Sequence, residues 1–90
     1  MYYLYILLSG KDGKLYIGFA SNLALRLGRH CQGLVSATKY RLPLRLIYYE
    51  VYRCSGDAKR REKFLKGGKG HTELKIQLKD TLRELGYKYQ

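Results

Sequence analysis

The sequence has no tryptophan, two phenylalanines, two cysteines, one methionine and one proline, and its 7 acidic residues face 18 lysines and arginines. Each scarcity excludes something. With no tryptophan, and no amphipathic segment carrying phenylalanine anchors, the chain lacks the signature of a helix lying in a membrane interface. No apolar run approaches the roughly 20 residues that span a bilayer. The apolar stretch at the N-terminus is too short for a signal peptide and has no cleavage site. Cys31 and Cys54 form a lone pair at a spacing that matches no zinc motif, so no metal finger and no disulfide is expected, and the chain is expected to stay in the reducing cytoplasm. The shortage of acids leaves a net charge of +11. A chain this small and this basic is expected to seek a polyanion, and nucleic acid is the leading candidate.

What is present argues for one small folded domain, 1–90. A hydrophobic fraction of 46% in 90 residues suffices for a single modest core and is too little chain for two. The organising stretch is the first eighteen residues. Tyr2-Tyr3-Leu4-Tyr5-Ile6-Leu7-Leu8 and Leu15-Tyr16-Ile17-Gly18 flank Gly10-Lys11-Asp12-Gly13, two aromatic and β-branched runs around a glycine-rich turn, as in a β-hairpin. Register decides whether Tyr5 and Tyr16 can meet. A two-residue turn at Asp12-Gly13 would hold them about 13 Å apart along the ladder. A four-residue loop, Gly10 to Gly13, sets Tyr5 opposite Gly18 with Tyr16 as its diagonal neighbour, and this register is the expected one. Gly18 would then leave an open pocket where a ligand can approach the backbone.

These residues resemble the GIY-YIG endonucleases. Tyr16-Ile17-Gly18 reproduces the second half of that name, and Tyr3-Leu4-Tyr5 stands in for the first half with Tyr3 in place of glycine. Arg26 and His30 follow on the next helix, then Glu62 within Arg60-Arg61-Glu62-Lys63, each where the family carries a functional residue. The resemblance covers nearly the whole chain and is to small stand-alone members. One departure is that no asparagine follows Asn22, whereas the family often carries one after its glutamate.

Downstream of the hairpin, Ser21 or Asn22 can cap a helix near 22–32 with Leu23, Leu27 and Leu34 as its apolar stripe. Arg26 and His30 are four apart and share a face. On spacing alone, a solvated basic face shared with Arg29 is the plainer reading. The resemblance implies instead that Arg26 steadies the scissile phosphate and His30 orients or relays a proton, tasks suited to a bidentate guanidinium and to an imidazole. Leu34 to Leu44 is a loop in which Lys39, Tyr40 and Arg41 interleave cations with a ring, as in nucleic-acid contacts or in merely soluble surface. Arg45 to Arg53 reads as a third strand, apolar on both faces, as if covered by helices on both sides.

Asp57 can cap a second helix running to about Lys66. Its stripe of Ala58, Glu62 and Leu65 turns a carboxylate toward the core. Pattern alone gives Glu62 a salt bridge to Arg61 or another cation; the resemblance implies that it binds one divalent metal, Mg2+ or Mn2+. Lys66-Gly67-Gly68-Lys69-Gly70 reads as a flexible basic connector, with Lys66 and Lys69 as further nucleic-acid contacts, and a last helix, 72–85, carries Leu74, Leu78, Leu82 and Leu85. His71 is expected exposed at its start.

The expected fold is α/β (α+β), a small three-stranded sheet flanked by helices in the order β-β-α-β-α-α. The resemblance implies a metal-dependent endonuclease acting on DNA, with RNA as the second candidate, in repair or recombination. One of Tyr5 and Tyr16 would be general base, with Arg26, His30 and Glu62 completing the set. No membrane and no small-molecule cofactor is expected, and the chain is expected as a monomer or weak dimer. Two rival readings use the same charge without catalysis, a nucleic-acid-binding module and a structural subunit of an RNA assembly.

Overall fold

The hairpin forms with the longer loop. In a computed structural model, which describes residues 1–88, β1 (Tyr2–Ser9) pairs antiparallel with β2 (Leu15–Ala20), setting Tyr5 across from Gly18 and Tyr16 across from Leu7. The turn closes through Ser9 N–H to the Lys14 carbonyl at 3.0 Å and Gly13 N–H to the Ser9 carbonyl at 2.9 Å. Gly13 has φ 68°, a left-handed conformation that costs glycine nothing.

β3 (Leu44–Tyr52) pairs antiparallel with the other edge of β1, giving the order β2-β1-β3. The central strand is therefore β1, and its run Leu4-Tyr5-Ile6-Leu7 is buried on both faces. The expectation of a third strand covered on both sides is corrected. β3 is an edge, with Tyr49 and Val51 about half exposed (50% and 48%). Tyrosine and valine suit an edge as well as a centre, so apolar composition could not tell the two apart.

Even-numbered β1 residues face one layer and odd-numbered ones the other. Leu4, Ile6 and Ile17 pack against Leu65, Leu74, Leu78 and Leu82, which come from α2 (Ser55–Lys66), α3 (Gly68–Gln77), α4 (Lys79–Glu84) and the link between the last two. Tyr5, Leu7 and Ala20 lie on the opposite face beneath α1 (Leu23–Cys31). Asn22 caps α1, its side-chain oxygen accepting the Leu25 N–H at 3.1 Å. Leu34, assigned to the apolar stripe of this helix, lies beyond its end and is 68% exposed.

Three details of the second half differ from expectation. The helix α2 starts at Ser55, so Asp57 sits inside its first turn and pairs with Arg60 at 3.0 Å rather than capping it. The glycine-rich connector is a tight corner: Gly67 alone separates α2 from α3, and Gly70 is buried where a Cβ would collide with the Phe64 carbonyl. The last helix is two, broken at Leu78, although Leu74, Leu78 and Leu82 stay in one buried row. Leu78 accepts and donates helical hydrogen bonds of 2.9 Å across the break, so no glycine or proline marks it. Among the described residues, no helix is long and apolar enough to cross a membrane.

Candidate active site

The layer beneath α1 has polar groups at its centre. Tyr5 projects from the middle of β1, fully buried, and its ring covers Gly18, where a Cβ would run into the phenol. Gly18 thus makes room for the Tyr5 ring, and the expected pocket for a ligand at Gly18 is filled by the protein itself. The helical spacing of Arg26 and His30 brings both to the Tyr5 hydroxyl, which lies 2.7 Å from His30 Nε2 and 3.3 Å from Arg26 Nε.

His30 is the only buried residue of α1, whereas Arg29 is exposed, so the two do not share a solvated face. Tyr16 completes the group, its ring edge-on to His30 at 5.3 Å between centroids and 6.3 Å from the Tyr5 ring. Thr38, from the loop between α1 and β3, is buried with its hydroxyl 2.7 Å from His30 Nδ1. Sequence reasoning missed this residue. It lies in a loop with no periodicity, and its contact exists only because the loop folds back over α1.

Burial, the largest influence, raises the Tyr5 phenol above its usual range, and the Arg26 hydrogen bond only partly offsets it. Burial also lowers the His30 imidazole, and the nearby Arg26 charge lowers it further. The Arg26 guanidinium is held still more firmly in its charged form, chiefly by the Tyr5 hydrogen bond. At neutral pH the cluster is therefore a phenol, a guanidinium and a neutral imidazole. Arg26 also lines a shallow groove of about 290 Å3 with Phe19, Asn22, Leu25 and Arg29, an open approach for an anion.

Glu62 sits on α2, half-buried, near enough for its charge to raise the Tyr5 phenol. Its Oε2 accepts from Lys66 Nζ at 3.1 Å. Arg61, the partner offered from the sequence, turns toward β3 and forks onto Glu50 at 3.0 and 3.3 Å, where Tyr48 and Tyr52 also donate. Neighbouring helix positions point in different directions, so Arg61 and Glu62 serve different layers.

Among the described residues no group of three or more His, Cys, Asp or Glu gathers as a metal cage. A single accessible carboxylate held only by a weak lysine pair does suit a hard divalent cation that keeps most of its waters and shares a substrate phosphate. The donor set thus fits magnesium or manganese.

The remaining candidates divide. Lys39 and Tyr40 are exposed on the loop, with Lys39 Nζ 5.0 Å from the Tyr40 ring centroid. Arg41 has other partners: it forks onto Asp12 at 2.6 and 3.4 Å and reaches the carbonyls of Lys14 and Leu15. It fastens the loop to the hairpin turn and holds the Asp12 carboxyl down at about 2. Lys66 and Lys69 are exposed near the corner between α2 and α3. A larger groove of about 900 Å3 lies at the turn end of the hairpin and contains none of Tyr5, Tyr16, Arg26, His30 or Glu62.

The family model described as the GIY-YIG catalytic domain matches residues 1–75. A UPF0213 protein of Staphylococcus saprophyticus is 34% identical over 76 residues, which cover 83% of this chain and 92% of the relative. A UPF0213 protein of Clostridium perfringens is 32% identical over 88 residues, covering 97% and 94%. No solved structure gives a significant match.

Proposed function

Since the chain belongs to the GIY-YIG catalytic-domain family, a family of nucleases, we propose that it is an endonuclease that hydrolyses phosphodiester bonds of DNA with Tyr5 as general base. The observation that carries this reading is the convergence of Arg26 Nε and His30 Nε2 on one buried tyrosine hydroxyl.

An arginine can only donate, so the Tyr5 oxygen accepts from Arg26 and directs its own hydrogen to His30 Nε2. The hydroxyl is covered in the free chain, and the long 3.3 Å contact to Arg26 is the cover most easily moved. When the guanidinium turns to a scissile phosphate, the Tyr5 oxygen opens toward the attacking water. The water proton then passes to Tyr5 Oη as the Tyr5 proton passes to His30 Nε2. The water oxygen bonds to phosphorus, the bond to the leaving sugar oxygen breaks, and that oxygen takes a proton from solvent.

Arg26 neutralises charge that develops on the phosphate. Glu62 is the residue that would hold a divalent cation, magnesium or manganese, which when bound supplies polarisation of the phosphate and charge neutralisation at the leaving oxygen. Lys39, Tyr40, Lys66 and Lys69 hold flanking backbone, a salt-sensitive contribution. Arg41 supports that contact indirectly, by fixing the loop. Tyr16 orients His30 and Tyr5 through its ring.

The experiment is cleavage of labelled plasmid and branched DNA with magnesium or manganese, beside EDTA and a Glu62→Ala variant. Metal-dependent cutting that disappears in the variant is the expected result. Equal DNA binding by parent and variant with no cutting by either would replace this reading with the basic binding module.

A further inference from the structure

We propose that Thr38 is a positioning residue, whose hydroxyl accepts the His30 Nδ1 hydrogen and so fixes the imidazole tautomer that leaves Nε2 open for the Tyr5 proton. The catalytic consequence rests on the hydrolytic reading above; the tautomer itself does not.

The direction of the first hydrogen bond follows from the one group that has no choice. Arg26 cannot accept, so its Nε–H donates to Tyr5 Oη. Tyr5 is wholly inaccessible to water, and a buried hydroxyl hydrogen needs an acceptor, which His30 Nε2 supplies at 2.7 Å. A nitrogen that accepts carries no hydrogen. The burial and neighbouring positive charge that keep His30 neutral leave it a single ring hydrogen, which must then sit on Nδ1. Thr38 Oγ1 lies 2.7 Å from that nitrogen. The four side chains form one polarised chain from guanidinium to hydroxyl.

Thr38 is held for this task by its surroundings. Its N–H donates to the Val35 carbonyl at 3.0 Å, and its carbonyl accepts the Arg41 N–H at 2.9 Å. Arg41 is in turn fixed by its fork on Asp12 and by the Ser9 hydroxyl, which donates to the Arg41 carbonyl at 2.6 Å. Gly10 N–H donates to the Pro43 carbonyl at 2.7 Å, tying the far end of the same loop to the hairpin turn. When His30 receives the Tyr5 proton, both ring nitrogens carry hydrogen, and the Thr38 oxygen remains the acceptor for Nδ1. The same contact that selects the tautomer thus supports the cation that forms.

Thr38→Val keeps the shape and removes the acceptor, whereas Thr38→Ser keeps the acceptor. Full-length protein labelled with 15N at histidine, without DNA or metal, reports the tautomer through the chemical shifts of the two ring nitrogens; His30→Gln identifies which signals belong to His71. We expect the parent and Thr38→Ser to hold His30 with hydrogen on Nδ1, and Thr38→Val to lose that preference. In cleavage assays kcat of Thr38→Val should fall roughly tenfold or more, part of the 10²–10⁴ that positioned acid–base groups supply, with KM for DNA unchanged and Thr38→Ser near the parent. Hydrogen on Nε2 in the parent would overturn the proposal without any variant. So would a Thr38→Val protein that keeps the parent tautomer. Loss of the tautomer in a chain that cuts no DNA would uphold the placement of Thr38 and overturn only the hydrolytic reading.

Discussion

The two faces of the sheet are built from alternate residues of the same strand and do opposite work. Leu4 and Ile6 look into a layer where Leu65, Leu74, Leu78 and Leu82 close over them, three helices against one face. Tyr5, one residue away, looks into a layer where α1 buries a histidine and nothing else. On the first face hydrocarbon meets hydrocarbon, and the packing can be satisfied by volume and shape alone. On the second, every buried polar atom needs a partner at a defined distance, and among the described residues none lacks one. A small domain has little core to spare. This one keeps its fully buried polar side chains, Ser9, His30 and Thr38 with Tyr5, on one face, while the other carries the aliphatic core with the part-buried network of Glu50, Arg61, Tyr48 and Tyr52 beside it.

That division can be broken from either side. Tyr5→Phe removes one oxygen and little volume, and should lower cleavage by about a hundred- to ten-thousandfold while costing only about 1–3 kcal/mol in stability for the His30 Nε2 left without its partner; a stability loss large enough to unfold the chain would mean that the polar layer is structural. Tyr16→Phe should lose less, because the Tyr16 ring lies edge-on to His30 and its hydroxyl interacts with Arg26 rather than taking the Tyr5 proton. Leu82→Ala opens a cavity on the aliphatic face and should cost about 2–5 kcal/mol in denaturant unfolding, with the folded fraction still cutting at the parent rate. Arg26→Ala should cost about a hundredfold in cleavage, and parent-rate cutting would remove it from the site.

A smaller effect sharpens the comparison through pH. His30 is depressed below its usual 6.5, so its contribution to stability is complete above that value and lost as pH falls through the depressed one. Tyr5, Tyr16, Arg26 and Thr38 are the groups facing it. The acid limb of cleavage should therefore lie below pH 6.5, and in His30→Gln that part of the pH dependence of unfolding should vanish. Smallest is Asp12→Asn at the hairpin turn. The Asp12 carboxyl is at about 2 when folded and 3.8 otherwise, so what it adds is present above pH 3.8 and lost toward pH 2. Parent and variant should differ by less than about 1 kcal/mol at neutral pH and converge in acid.

Much of this was legible in the sequence because local rules decide it. The register that puts Tyr5 across from Gly18 follows from loop length and alternation, and the one-turn spacing of Arg26 and His30 follows from the helix. What could not be read depends on long-range arrangement. Whether β1 or β3 is the centre is settled by pairing order, which a strand with apolar residues on both sides does not declare. Arg41 reads as a phosphate contact because it and Lys39 flank the Tyr40 ring, and its fork on Asp12, far away in the chain, is nothing the sequence declares. Thr38 carried no signal at all. The break at Leu78 is hidden because the leucine row continues through it.

The fork between Arg41 and Asp12 bears on how the chain tolerates editing. A hairpin loop at the rim of a sheet is ordinarily where an insertion, a tag or a change of length does least harm. Here the turn at Gly10 to Gly13 is the seat on which the loop carrying Thr38 rests, through Ser9, Gly10 and Asp12. Lengthening that turn leaves the strand register intact and the aliphatic layer untouched, while removing the support beneath a hydroxyl at the far side of the same layer. In this chain the length of the first turn and the path of the later loop are therefore coupled.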